Sequence, residues 1–164
     1  MKTSAEEIEK KAREDEKANR ELIKILKKKP PRNLDEIVHE AHVRAFEKID
    51  CLNCANCCRT LGPRITDKDI ERLSKHLKIK ESLVIQTFLR IDEDGDFVFK
   101  QMPCPFLEND NKCRVYENRP KACREYPHTD RKKIHQILDL TLKNSYVCPA
   151  VIEILGEIRI IRRI

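Results

Sequence analysis

Eight cysteines are the residues of this 164-residue chain best suited to chemistry, and their spacing is uneven. Cys51, Cys54, Cys57 and Cys58 fall within eight residues, whereas Cys104, Cys113, Cys123 and Cys148 follow one at a time. Thiolates are soft ligands for zinc and iron. A local loop that grips a metal while distant segments close the cage is how such sites are commonly arranged. All eight cysteines are therefore candidate metal ligands. Disulfides are the competing use of cysteine. They are disfavoured because the first thirty residues are charged helix formers without the apolar stretch of a secretory signal, so a reducing cytoplasmic setting is expected.

The metal is read from the spacing. Eight thiolates suffice for two tetrahedral zinc sites, for one [4Fe–4S] cluster with the remainder structural, or for two clusters. Cys51-x2-Cys54-x2-Cys57 matches the ferredoxin-type loop, in which three nearby thiolates and one remote cysteine hold a cluster. Cys104-Pro105 and Cys148-Pro149 repeat the Cys-Pro of that pattern. Zinc sites more often pair two C-x2-C knuckles, and the second half has none. Adjacent Cys57 and Cys58 are expected to point apart and to serve different metals, or different atoms of a polynuclear site. The balance favours iron–sulfur over zinc, with Cys51, Cys54, Cys57 and one remote cysteine as principal ligands and the others at a second site. A radical-SAM loop does not fit, since the first spacing here is two residues rather than three. A thioredoxin-like C-x-x-C lacks its βαβ surroundings.

With their flanks, these cysteines carry a resemblance. Cys51-Leu-Asn-Cys54-Ala-Asn-Cys57-Cys58-Arg59 is followed by Cys104-Pro-Phe-Leu, Cys113-Arg-Val-Tyr116, Arg119-Pro120 and Cys123-Arg-Glu-Tyr-Pro127. The sequence resembles the YkgJ-type CxxCxxCC cysteine-cluster family over about residues 46–150. The resemblance implies a zinc- or iron-chelating domain with eight cysteines, many of whose members are iron–sulfur proteins. It implies no particular activity, and whether the protein is an enzyme stays open. Members often have Gly after the second cysteine, where this chain has Ala55. Alanine tolerates a left-handed backbone poorly, so the loop around Cys54 is expected to differ.

Other polar residues admit simpler roles. Arg119 and Arg124 flank Cys123, and an arginine there could donate to cluster sulfurs and tune the metal. The simpler expectation is that Arg119 and Tyr116 knit a turn to the domain. His128 is expected to be solvated, and His39 and His42, three residues apart, to lie on a helix surface. Asp92-x-Asp94-x-Asp96 is a hairpin turn: the calcium-loop glycine position holds Phe97 and the twelfth holds Pro103.

Composition narrows the partner. Lys+Arg 34 against Asp+Glu 28 leaves +6, but the basic runs at 27–29, 131–133 and 159–163 are scattered, and aromatics are only 5%. Without aromatics to stack bases, nucleic acid is not the expected partner; a redox or protein partner is. No apolar run approaches the ~20 residues that cross a bilayer.

The elements that must position the cysteines follow from periodicity. Charged residues reach 38% and Trp is absent, so the core is modest and metal–thiolate cross-links are expected to help hold the fold. We expect an α+β class, mostly α: a small metal-stapled single domain with short β-hairpins. Residues 1–32 read as a charged, solvated helical extension, 33–150 as the cysteine-cluster domain and 151–164 as a C-terminal amphipathic helix. A first helix is predicted over 4–29, opened by a Ser4–Glu7 capping box and stopped by Pro30-Pro31. A second starts at Asn33 with Glu36 at its third position, a third at Thr66 with Asp69, and a fourth spans about 81–89. Asp94-Gly95 with Phe97, Phe99 and Gln101 predicts one hairpin, and 109–112 a second. Arg119-Pro120 opens a short turn around Cys123, and 135–143 and 149–161 read as closing helices.

Overall fold

A computed structural model describes residues 4–162, so Arg163 of the expected tail lies outside the described residues. In chain order its elements are α1 (Ala5–Glu14), α2 (Glu16–Lys28), α3 (Leu34–Lys48), α4 (Cys51–Cys54), α5 (Asn56–Thr60), α6 (Asp67–Leu77) and α7 (Glu81–Phe88), then strands β1 (Leu89–Ile91) and β2 (Phe97–Phe99), then α8 (Lys121–Glu125), α9 (Leu138–Asn144) and α10 (Pro149–Arg162). The class is α+β and mostly α, as expected. The chain divides into two units, one formed up to Asn56 and from Pro127 onward, the other by Cys57–Tyr126.

In the first unit the Ser4–Glu7 capping box forms as predicted, with Glu7 N–H donating to Ser4 Oγ at 3.2 Å and Ser4 N–H to Glu7 Oε2 at 2.8 Å. The helix it opens is interrupted. Asp15 breaks it into α1 and α2, and its carboxylate takes Lys11 at 3.3 Å and Arg159 at 3.1 Å. Nor is the segment a solvated extension. Ile8, Ala12, Leu22, Ile23 and Leu26 are buried, and α1 and α2 pack against α10. A stripe of one or two apolar residues per turn is enough to seat a helix when a second apolar helix faces it.

Helix α3 buries Leu34, Val38, Ala41 and Ala45, the i, i+4, i+7, i+11 set of one helical face, and packs along α10. Asn33 does not form the capping box predicted with Glu36: its side chain makes no cap bond, and Leu34 N–H bonds to Pro31 O at 3.2 Å. Asp35 instead reaches out and accepts from the N–H groups of Lys133 and Ile134 at 2.7 and 3.0 Å. The closing helix expected from His135 begins as a 3-10 turn over Ile134–Ile137 and becomes α9 only at Leu138. Helix α10 buries Val151, Ile154, Leu155 and Ile158.

In the second unit the Thr66–Asp69 capping box opens α6 as predicted. Strands β1 and β2 pair antiparallel, Leu89 opposite Phe99 and Ile91 opposite Phe97. Gly95 turns the hairpin at φ +82°, and Asp92 Oδ1 accepts from the N–H groups of Asp94 and Asp96 at 3.0 and 2.9 Å. The triad of aspartates is thus a turn, as expected. Gln101 falls beyond the strand, and the second predicted hairpin reduces to a single bridge between Leu107 and Cys113. The polar turn at 109–112 closes it, but too few residues pair to make strands. Ile65, Ile70, Leu73, Val84, Leu89, Phe99, Phe106 and Val115 form the core of this unit. Phe106 sits at its centre, 4.9 Å from the Phe88 ring and 5.7 Å from the Phe99 ring. Among the described residues, no helix is long and apolar enough to cross a membrane.

Candidate metal centre

The first unit carries three of the eight cysteines. Asp50 caps α4 by accepting from Leu52 N–H at 2.9 Å, which sets Cys51 and Cys54 at the two ends of one helical turn. Ala55 then ends the turn in the left-handed region at φ +50°, with its N–H on Cys51 O at 2.8 Å. Alanine therefore takes the conformation that glycine would serve, and the loop keeps a left-handed residue at this place. Buried Asn56 donates from Nδ2 to Val147 O at 2.8 Å, one residue before Cys148. Cys148 is buried at the start of α10, its N–H on Asn144 O at 2.8 Å. Burial pushes its thiol up to about 11, and Cys51 and Cys54 add to the rise. Cys54 itself packs against Ile8, Ala12 and Ile152.

The second unit carries five. Cys57 and Cys58 stand side by side in α5 with their Sγ atoms 4.0 Å apart, closer than the divergent pair expected. Cys104 is pinned to Cys58 by a main-chain bond from its N–H to Cys58 O at 2.8 Å. Cys113 faces Leu107 in the isolated bridge, and Cys123 rides on the short helix α8. Both Cys104 and Cys113 pack against the unit's core. Burial pushes the Cys123 thiol up to about 12, with Cys104, Cys58 and Cys113 adding to it. Burial likewise raises Cys104 to about 11 and raises Cys113, each with Cys58 as a neighbour. Cys58 runs the other way, lowered to about 7 by its hydrogen bond with Cys57 and by the charge of Arg59. Burial and mutual repulsion raise Cys104, Cys113 and Cys123, outweighing the nearby arginine charge at the last two, and a bound cation is the kind of partner that would reverse that balance.

The thiols have the following neighbours. Cys148 has Cys51 and Cys54 beside it, while Cys57 stands against Cys58. Cys58, Cys104, Cys113 and Cys123 are electrostatic neighbours of one another. Cys54, Cys58, Cys104, Cys113, Cys123 and Cys148 are free thiols. Among the described residues, no three His, Cys, Asp or Glu side chains are grouped as a single ion requires.

The flanking residues sort themselves. Arg119 knits the turn as the simpler expectation had it, donating from Nη1 to Tyr116 O at 2.7 Å with its guanidinium 3.7 Å over the Tyr116 ring. Its charge also reaches Cys113 and Cys123, easing their ionisation. Arg124 is exposed on α8. His39 is exposed and bonds Asp130 at 2.7 Å, whereas His42 is half-buried, 2.8 Å from Thr129 Oγ1 and against the Phe46 ring.

Three residues near the thiols were not singled out from the sequence for this site. Arg59 sits beside Cys58 and bonds the side chain of Asn111. Asp69 and Arg72 lie on α6. Asp69 is 1% exposed and accepts from Thr66 N–H at 2.9 Å, Thr66 Oγ1 at 2.7 Å, Arg72 Nη2 at 2.5 Å and Lys121 N–H at 2.9 Å. Burial alone would raise its pKa; these hydrogen bonds overcome that and hold it below the usual carboxylate value. The capping spacing from Thr66 was legible, but nothing in the sequence pointed to a donor 52 residues onward.

Comparison with known proteins agrees with the residues. Residues 50–148 match the family model CxxCxxCC, described as a "Putative zinc- or iron-chelating domain". The uncharacterized protein MJ0661 of Methanocaldococcus jannaschii is 30% identical over 82 residues, which cover 48% of this chain and 44% of that protein. The chain thus spans less than half the length of that relative. No solved structure matches the chain.

Proposed function

The chain belongs to the CxxCxxCC family of zinc- or iron-chelating domains, and we propose that it is a cytoplasmic iron–sulfur protein that serves electron transfer or redox chemistry with a protein partner. The observation that carries this reading is the company kept by Cys58, Cys104, Cys113 and Cys123. They come from four separate segments, yet Cys104 is bonded through its N–H to Cys58 O at 2.8 Å, Cys104 and Cys113 pack on one core, and Cys123 lies within electrostatic reach of the other three. The donors are all sulfur, the ligand that iron–sulfur clusters take, and four is the number a [4Fe–4S] cluster binds. A bound cluster would supply one-electron transfer. The chain's part is to hold the thiolates, keep them half-buried and set their electrostatic surroundings.

Cys57 is a fifth thiol in the same unit, and Cys51, Cys54 and Cys148 form a second group that would hold a second metal. Arg119 places a positive charge near Cys113 and Cys123 and would favour the more negative state of whatever they bind. Arg124 neighbours Cys123 in sequence and is the weaker candidate, being exposed.

One observation favours zinc. The 4.0 Å between the Cys57 and Cys58 sulfurs is close to the spacing that two thiolates adopt on a tetrahedral ion with Zn–S bonds of about 2.3 Å. On that reading the protein is a zinc-stabilised interaction module with no chemistry of its own. Anaerobic purification with iron, zinc and sulfide analysis decides between them. Iron with equimolar sulfide and a broad band near ~400 nm is the expected result. Stoichiometric zinc and a colourless protein would overturn it.

A further inference from the structure

We infer that Asp69 and Arg72 of α6 are the positioning pair of the thiolate site, placing Cys123 through the main chain that leads into it. The inference rests on reading Cys58, Cys104, Cys113 and Cys123 as metal ligands. Helix α8 has five residues, too short to fix its own position by internal hydrogen bonds, and Pro120 at its start provides no side-chain cap. The cap comes from α6. Asp69 Oδ1 accepts from Lys121 N–H at 2.9 Å, two residues before Cys123. Arg72 donates from Nε to Asn118 O at 3.3 Å and from Nη2 to Arg119 O at 2.9 Å. The same Nη2 bonds Asp69 at 2.5 Å, so carboxylate and guanidinium hold each other while they hold residues 118, 119 and 121.

Two features make this more than a generic anchor. The segment held is the one that carries Cys123 and also Arg119, whose charge reaches Cys113 and Cys123, so moving it shifts a ligand and its charged neighbour together. The Cys58–Cys104 pair is fixed separately, by the Cys104 N–H to Cys58 O bond that neither residue touches. Damage from losing the pair should therefore fall on one ligand of the set.

The test uses the full chain loaded with Co²⁺, whose thiolate charge-transfer bands report how many sulfurs bind, beside iron reconstitution with EPR of the reduced form. Asp69→Asn and Arg72→Gln should weaken metal binding by about tenfold or more. They should lower the charge-transfer intensity as Cys123→Ser does. Arg72→Lys, which keeps a charge for Asp69 but loses the two-carbonyl grip, should give an intermediate spectrum and stands in should Asp69→Asn fail to fold. Combining Arg72→Gln with Cys123→Ser should add nothing, whereas combining it with Cys148→Ser should add fully. Variants that melt lower but keep the wild-type spectrum and affinity would overturn the positioning role, as would additivity with Cys123→Ser. A wild-type chain that takes up neither cobalt, zinc nor iron would overturn the metal reading and the inference with it. Glu71→Gln, an exposed change on the same helix, should leave the spectrum as it was.

Discussion

The side-chain amide of Asn56 donates to the carbonyl oxygen of Val147 at 2.8 Å, and this bond ties the turn bearing Cys51 and Cys54 to the residue before Cys148. A buried amide that holds two cysteine-bearing segments together does two things at once. It satisfies a main-chain acceptor, and it sets how far the thiols can part. Asn56→Ala should cost about 0.5–1.5 kcal/mol, the usual net worth of a part-buried hydrogen bond. Urea midpoints measure that. Metal counted per chain should fall at the Cys51, Cys54 and Cys148 group while the Cys58 group stays loaded; equal loss at both groups would argue against the grouping.

Ala55 gives a prediction in which opposing terms nearly cancel. An L-residue in the left-handed region costs roughly 1–2 kcal/mol, which glycine would recover. Glycine forfeits about 0.8 kcal/mol of buried methyl and a further ~0.5–1 kcal/mol through its freer unfolded chain. Ala55→Gly should therefore leave the melting temperature nearly unchanged. Ala55→Val puts a β-branched residue at φ +50° and should lower it by about 5 °C or more, with metal loss at Cys51 and Cys54.

The same residue shows what the sequence could disclose. Cysteine spacing and its flanks revealed the family, because its signature is written in residue type and local spacing. Local signals with both partners a few residues apart were equally legible: the Thr66–Asp69 box, the Ser4–Glu7 box and the Asp92 turn all formed. The rest depended on distant partners. Asp15 breaks the first helix where a carboxylate meets Arg159, and the N-terminal stripe is buried because α10 presents apolar residues to it. Asp69 looked like a local cap and turned out to serve Lys121 as well. The grouping of the thiols was hidden for the same reason, since which cysteines meet is decided by the fold between them.

Charge near the thiols should be readable in a potential. Arg119→Gln removes a positive charge that eases ionisation of Cys113 and Cys123, and so should disfavour the more reduced, more negative state. On the iron–sulfur reading the expected shift in potential is downward, on the order of 40 mV for about 1 kcal/mol of lost interaction. Arg124→Ala, on the exposed side of α8, should leave both metal content and potential as they were. A redox titration of the two variants against the wild type separates them. Equal shifts would mean that net charge, rather than the place of Arg119, sets the potential.

His42 supplies the pH dependence. Its Nδ1 lies 2.8 Å from Thr129 Oγ1 and its ring packs on Phe46, so burial holds its pKa below the ordinary 6.5; nearby Asp130 offsets part of that, and His39 adds to the lowering. A histidine whose folded pKa is depressed binds its proton more readily when unfolded. Its contribution is therefore fully present above about pH 6.5 and is lost as pH falls below that, through the folded value. Because the ring is only partly buried, solvent screening limits the effect to no more than about 0.5 kcal/mol. Urea midpoints of wild type and His42→Gln between pH 7.5 and 5 should converge or cross toward acid, since the glutamine cannot be protonated. Parallel curves over that range would show that burial does not penalise the imidazolium, and that the contact with Thr129 survives protonation by turning the ring nitrogen into a donor to the hydroxyl.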